Sequence, residues 1–354
     1  MKRGRRGGDA RSWPRRIATA AGLVLLSSLI GLLLGELLFR WLEPPPILTD
    51  DLRSDRRQED AALYAPAPPP LGYEPVAGRS AGPGRMNALG LRDREGYARD
   101  KPQGTYRVVM LGDSVTWGAG IPQAETFENL LEDRLEAEGR KVEIMNLGVP
   151  GYNALMMAAF LERRGLPLQP DLVLAVVGLN DQASTPAVLW EPEQARFRFF
   201  DSSGQDRVPW VFDLPLGLDR WLMTNSALFR GLCRRLAAPD TPVYDRLRTE
   251  NREALLHIDE LARGAGGRAA VVLLPELSSF APYAKQAEHD ELKAFLQGRG
   301  RTVIDLLPGL ARLTDGNGES LRYHAEDAIH PDRAAQDLIA QLLHEGLVGK
   351  RLIP

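Results

Sequence analysis

Cysteine occurs once among the 354 residues, at Cys233. A single thiol excludes an intrachain disulfide and a cysteine-based metal cluster, and reads as one small apolar packing residue. Basic charge is also missing from most of the chain. The formal net charge is −3, yet residues 1–16 hold seven Lys and Arg against one Asp, which leaves about −9 on the remainder. An acidic body of this kind suits no phosphate backbone, so nucleic acid is excluded as a partner. The glycines at 112 and 118 are not followed by the Lys-Ser/Thr ending of a P-loop, and the chain has no Gly-x-Ser-x-Gly elbow, which argues against an α/β-hydrolase fold. No segment repeats with a period of about 20–50 residues.

What is present begins with an apolar run, IATAAGLVLLSSLIGLLLGELLF at residues 17–39, broken only by Glu36. As a helix it extends about 35 Å, enough to cross a bilayer. Residues 1–16 form a basic tail that the positive-inside bias keeps cytoplasmic, so the chain beyond the run lies on the far side. No small-x-small cleavage site follows, which favours an uncleaved anchor over a secretory signal. Gly31 and Gly35 have the spacing that lets two membrane helices approach closely. Residues 40–84, with EPPP, APAPPP and AGPG, read as a Pro-rich linker. The domain proper is expected over 85–354.

Within it five short apolar runs read as buried parallel strands: 106–112, 141–148, 171–178, 268–275 and 302–308. Helical patterns lie between and after them, at 126–139, 154–165, 252–264, 287–300 and 333–346. The expected fold is therefore α/β: a three-layer α/β/α, flavodoxin-like arrangement with a central five-stranded parallel sheet, preceded by one N-terminal transmembrane helix. An insertion at about 182–250 breaks the rhythm. Inside it RFRFFDSSGQDRVPWVF (196–212) reads as a hairpin turning at Ser-Ser-Gly, and 221–236 as a helix.

In an open parallel sheet the ligand crevice lies at the carboxyl ends of the strands. The first strand ends in Gly112-Asp113-Ser114 and the second is followed by Gly148-Val-Pro150-Gly151-Tyr-Asn153. The third runs into Gly178-Leu-Asn180-Asp181, and Asp327-Ala-Ile-His330-Pro331 follows the fifth. A serine hydroxyl needs a base, usually a histidine held in one tautomer by a carboxylate, and Asp327 and His330 stand three residues apart. An acyl-transfer transition state also needs oxyanion donors, which Ser114 N–H, Gly151 N–H and the Asn180 amide can supply. Blander readings exist: Ser114 as a helix cap, Asn180 and Gly151 as turn residues, Asp113 as a cap that orients the turn. His324 competes as base but has Leu321 where an acid is needed, and His257, His289 and His344 read as ordinary helix residues. The group His324, Glu326, Asp327, His330 and Asp332 could ligate a metal, but that leaves Ser114 unexplained. Gly112 is read as the turning point after the strand, and Gly118 as relief of crowding.

Taken together, GDSVTWG, NLGVPGYN, GLND and DAIHP resemble, in order, the four blocks of the SGNH or GDSL family of serine esterases and lipases. RMNALGLRD (85–93) resembles the lead-in of membrane-anchored bacterial members. The resemblance implies Ser114 as nucleophile, His330 as base and Asp327 as its orienting acid. It further implies Ser114, Gly151 and Asn180 as the oxyanion hole, with no cofactor and no metal. The expected activity is hydrolysis of an O-acyl ester of a cell-envelope polysaccharide or lipid, by a single-pass protein of the bacterial inner membrane with a periplasmic body. An O-acyltransferase with the same acyl-enzyme and a non-catalytic envelope-binding protein are the alternatives.

Overall fold

The computed structural model describes residues 13–42, 63–68, 70–71, 73–81, 84–179, 187–191, 196–200, 218, 222, 226–229, 232, 242–325 and 327–354. Cys233 and Asn180 lie outside these residues, as does most of the segment read as a helix over 221–236. The chain divides into two compact units, residues 1–53 with 210–238, and residues 54–209 with 239–354.

The first unit contains helix α1 (Trp13–Leu42). Its stretch Ile17–Trp41 has the length and apolar composition shared by membrane anchors and signal sequences.

The second unit opens with two small antiparallel pairs, β1 (Tyr64–Pro66) with β2 (Tyr73–Pro75), and β3 (Ser80–Ala81) with β4 (Gly84–Arg85). These correct the linker expected over 40–84. Among the described residues of 63–86, Leu63, Leu71, Tyr73 and Met86 are buried. Proline content argues for extended chain, but prolines at the ends of short strands remove no needed ladder bond, and the residues between them supply the burial.

The main sheet takes β5 (Tyr106–Gly112), β6 (Val142–Gly148) and β7 (Leu172–Val177) from the first part of the body. Helix α2 (Ser114–Trp117) and helix α3 (Phe127–Ala137) follow β5, and α4 (Ala154–Phe160) follows β6. The insertion contributes β8 (Ala187–Glu191), antiparallel to β9 (Arg196–Phe200). The run 196–200 thus pairs with the run before it, and the second half of the hairpin expected over 196–212 lies outside the described residues. The expected end of the insertion also moves, because α5 (Pro242–Gly264) begins ten residues before the helical pattern at 252. Then come β10 (Arg268–Leu273), α6 (Gln286–Gly298), β11 (Val303–Asp305), α7 (Leu307–Leu313) and α8 (Arg333–Gly349).

The five long-range strands are all parallel in the order β11-β10-β7-β5-β6. Alternation along each strand feeds two cores. Val109, Leu111, Val173, Ala175 and Val271 meet α4, α5 and α6 on one face. Val108, Met110, Leu172, Leu174 and Val272 meet α3, α7 and α8 on the other. Each fully buried Val, Leu or Met contributes about 1.5–3 kcal/mol, which is why these strands need no alternation with polar residues. The strand order reverses between β5 and β7, and the crevice of such a sheet opens there.

Behind β6 sits a cluster of buried acids. Glu132 accepts bonds from Tyr97 Oη at 2.9 Å to each oxygen, from Arg94 at 3.3 Å and from the Ile144 N–H. Burial raises its carboxyl to about 7 even though these donors pull the other way. Asp93 and Glu128 are raised by burial as well. A carboxyl with a raised folded-state value binds its proton more tightly when folded, so its contribution to stability is full at low pH and is lost as pH rises through that value. The urea midpoint is therefore expected to fall between about pH 5 and pH 7, and Glu132→Gln to remove its share, on the order of 2 kcal/mol. A wild-type midpoint that stays level or rises over this range would contradict the assignment.

Candidate active site

Each element of the site follows from how a strand ends. β5 stops at Gly112, and Asp113 caps α2 by accepting a bond from Val115 N–H at 2.8 Å. Ser114 is thereby the first residue of a helix whose start is fixed by a side chain next to it. A Cβ on Gly112 would lie 1.9 Å from Thr116 Oγ1, and one on Gly148 would lie 2.4 Å from Trp117 N. Gly112 is thus required by close approach. The left-handed turn belongs to Gly118, with φ +79°. Gly118 also relieves crowding as expected, since a Cβ there would lie 2.3 Å from Thr126 Cγ2 and 2.8 Å from Arg92 Nη1, whereas Gly112, expected to turn the chain, is required by close approach because the helix begins at once after the strand.

Ser114 Oγ lies 2.8 Å from His330 Nε2, and His330 Nδ1 lies 2.7 Å from Asp327 Oδ2. With the proton on Nδ1, the imidazole donates to Asp327 and leaves Nε2 free to accept from the serine. Asp327 Oδ1 also accepts from Ile329 N–H at 2.9 Å and His330 N–H at 3.1 Å, so one carboxylate folds the turn and aligns the ring. Burial alone raises the Asp327 carboxyl. The His330 bond and charge and the two backbone donors outweigh it and hold it at about 2.

The loop carrying this pair is tied on both sides. Leu277 N–H donates to Ala328 O at 2.6 Å, Tyr323 N–H donates to His330 O at 2.9 Å, and Asp332 caps α8 through Ala335 N–H at 2.8 Å. His324 is exposed, its ring set edge-on to Tyr323 with centroids 4.4 Å apart, and it is not paired with Ser114. His289 is buried against Asp305, 2.9 Å from its Oδ1.

Gly151 follows β6 in a turn closed by Tyr152 N–H to Val149 O at 3.0 Å, with φ +82° at the glycine and Pro150 before it. That is a type II turn. The Tyr73 hydroxyl donates to Pro150 O, and Tyr152 Oη donates back to Tyr73 O. Because a trans peptide points its C=O and N–H in opposite directions, Tyr73 sets the direction of the Gly151 N–H. Of the expected oxyanion donors, Ser114 and Gly151 are described; Asn180 lies outside the described residues. The crevice itself is lined by Asp113, Val115, Val176, Gly178, Leu274 and Ile329.

Three supporting residues were not legible as such from sequence. Tyr73 stands in the stretch read as linker, where an aromatic between prolines was the available signal. Arg92 is buried, donates to Trp117 O and Ile121 O and lies 4.4 Å over the Trp117 ring, holding the loop after α2. Asn146 donates to Thr116 O at 2.7 Å and to Glu128, and accepts from Gly148 N–H at 2.8 Å.

The switch point of a doubly wound sheet thus joins Ser114, His330 and Asp327 by hydrogen bonds. The chain belongs to the GDSL-like lipase/acylhydrolase family, whose model matches residues 110–338, and is an enzyme of the ester-hydrolysing class. Solved structures of similar fold include TesA (17% identity, 70% of this chain and 99% of that one, TM-score 0.43). A catalytic mutant of an acetylxylan esterase from Geobacillus stearothermophilus is another (13%, 68% and 94%, 0.43). So is a lipase/acylhydrolase from Enterococcus faecalis (16%, 69% and 96%, 0.40). No curated protein matches the chain in sequence.

Because the Asp327 carboxyl is held below its ordinary 3.8, at about 2, its contribution to stability is full above about pH 4 and lost as pH falls toward 2. Asp327→Asn lacks that contribution at every pH. The gap in urea midpoint between wild type and Asp327→Asn is expected to narrow from about pH 5 down to about pH 2.5. A gap that widens on acidification would refute the reading.

Proposed function

We propose that this chain is a membrane-anchored serine esterase that removes O-acyl groups, acetyl among them, from a cell-envelope carbohydrate or lipid. The observation that carries it is the unbroken chain from Ser114 Oγ through His330 to Asp327, with contacts of 2.8 and 2.7 Å. Ser114 Oγ attacks the ester carbonyl carbon while His330 Nε2 takes its proton. The oxyanion that forms is met by the Ser114 and Gly151 N–H groups, with the Asn180 amide as a third donor. Collapse breaks the ester C–O bond, His330 returns the proton to the departing alcohol, and the acyl group remains on Ser114. Water then attacks that acyl-enzyme, again giving its proton to His330, and the carboxylic acid leaves as Ser114 regains its hydrogen. The resting tautomer required at each turn is the one that the ionised Asp327 favours.

The apolar helix α1 is read as an uncleaved anchor, with the basic tail cytoplasmic and the body on the opposite face of a bacterial inner membrane. On this topology the substrate is an envelope ester, and the acidic body suits a neutral or acylated sugar better than a polyanion.

The test is hydrolysis of p-nitrophenyl acetate and longer acyl esters by the full chain beside Ser114→Ala. Loss of about 10⁴-fold or more in kcat is expected from the variant. An inactive but folded wild type, or equal activity in both, would sink the reading. Mass spectrometry of an added carbohydrate acceptor separates release to water from transfer. Tyr73 acts as a positioning residue through the Pro150–Gly151 peptide. Tyr73→Phe is expected to lower kcat by about tenfold with KM little changed, less than the full loss of an oxyanion donor. If kcat and KM are both unchanged in a Tyr73→Phe protein, its hydroxyl has no part in orienting the turn.

A further inference from the structure

Glu36 is the one acid in an otherwise apolar run, and an unpaired carboxylate at that place would be costly. It is fully partnered. Oε1 accepts from Ala227 N–H at 2.8 Å and from Arg40 Nε at 2.8 Å; Oε2 accepts from Ser226 Oγ at 2.7 Å and from Leu228 N–H at 3.0 Å. Three of these donors belong to the inserted segment. The helix expected over 221–236 breaks at Ser226, whose Oγ accepts from Phe229 N–H at 3.0 Å as a cap does. The helix start thereby finds an acceptor for its unpaired N–H groups, and the carboxylate, already paired with Arg40 on its own helix, gains three further donors. Leu228 also covers Gly35, its Cδ2 3.2 Å from where a Cβ would stand. That occupies one of the two glycines expected to pair α1 with a second membrane helix.

Depth follows from helix geometry. Glu36 lies 19 residues beyond Ile17, a rise of about 28 Å, which matches the hydrocarbon thickness of about 30 Å. Trp41, 82% exposed, follows at the position of an interfacial aromatic. The inserted segment keeps the same surface character as α1. Leu218 is 46% and Leu232 38% exposed, whereas among the described residues of the body the exposed large apolar side chains are Tyr323 and Val348. Arg230, Arg234 and Arg235 then end the segment in the sequence, the charge expected at an anionic lipid surface.

We infer that the insertion is membrane-seated at Ser226–Phe229, held there by Glu36 at the C-terminal end of α1, with the exposed Leu218 and Leu232 in the lipid acyl chains. This rests on the reading of α1 as an uncleaved anchor and is independent of the esterase chemistry.

Cys233, the only thiol, is a built-in reporter beside Leu232. The full chain, labelled there with an environment-sensitive nitrobenzoxadiazole dye, is placed in vesicles of phosphatidylcholine and phosphatidylglycerol. The expected result is blue-shifted emission, quenched by phosphatidylcholine bearing an acyl-chain nitroxide and shielded from iodide. The control, Cys233→Ser with Gln297→Cys on α6, is expected to be open to iodide. Glu36→Ala should shift the Cys233 emission to the red and open it to iodide. Ser226→Ala, which keeps three of the four donors, should do so less, and both should retain full ester hydrolysis as evidence of a folded body. Iodide access at Cys233 equal to that of the control, in a chain that floats with the vesicles, would overturn the inference. Failure of the chain to float would overturn the anchor reading and this one with it. Ester hydrolysis in the same preparations reports on the esterase reading separately.

Discussion

Asn146, at the end of β6, is the point through which the parts of the catalytic edge are joined. Its amide donates to Thr116 O in α2 and to Glu128 in α3, its side-chain oxygen accepts from Gly148 N–H, and its backbone N–H donates to Asp93 at 2.8 Å. One buried residue thus links, by its side chain, the helix that begins with Ser114 and the strand that leads to Gly151 and, by its backbone N–H, the segment ahead of the sheet. With Gly148 leaving no room for a Cβ beside Trp117 N, α2 lies directly on the strand end. A fully satisfied buried amide of this kind fixes position more strongly than apolar contact does, because any shift strands a donor or acceptor away from water. The place of Ser114 is therefore set from behind, by buried residues.

That arrangement also explains the gradient of burial across the site. Asn146, Asp93, Glu128 and Glu132 are buried, Asp327 is at the edge of burial, and Ser114 and His330 are half exposed. The groups that hold the strand end are buried, and the Ser114–His330 pair faces the solvent side. The buried carboxyls on the inner side are protonated more readily than free ones, whereas Asp327 is kept ionised by donors matched to its charge. Two sets of acids in one domain are pushed in opposite directions, by burial without enough donors in one case and by sufficient donors in the other. The second condition is the one a His-orienting acid requires.

The strands and the blocks after them were legible because both follow local rules. Continuous apolar runs mark strands buried on two faces, and turn glycines with a hydroxyl, an amide or a carboxylate mark their carboxyl ends. Asp113 as a cap and Asp327 beside His330 are contacts across two and three residues, so spacing alone suggests them. What spacing could not supply were partners far along the chain. Tyr73 reaches Pro150 across 77 residues from a segment whose prolines argue for disorder, and Asp93 reaches Asn146 across 53. The pairing of β8 with β9 was missed for a related reason. Alternation identifies a strand but does not choose between the neighbour before it and the one after.

Glu36 is the sharpest case of the same limit. As a letter in an apolar run it reads as a blemish near the end of a helix, tolerable because it can reach the interface. In the structure it is a joint, answered 190 residues later by Ser226 and the two N–H groups that follow it. A carboxylate with four donors is held more tightly than one snorkelling to water, since moving it away would strand the helix start and leave the charge with Arg40 alone. The insertion that separates this chain from the bare doubly wound pattern is thus fixed to α1 at one end and continuous with strand β7, beside the catalytic edge, at the other. The fold is common to many hydrolases, and the features that distinguish one member from another lie in what is grafted onto it. Here the inserted sequence begins directly after Gly178 and Leu179 and includes Ser226–Leu228, whose donors meet Glu36.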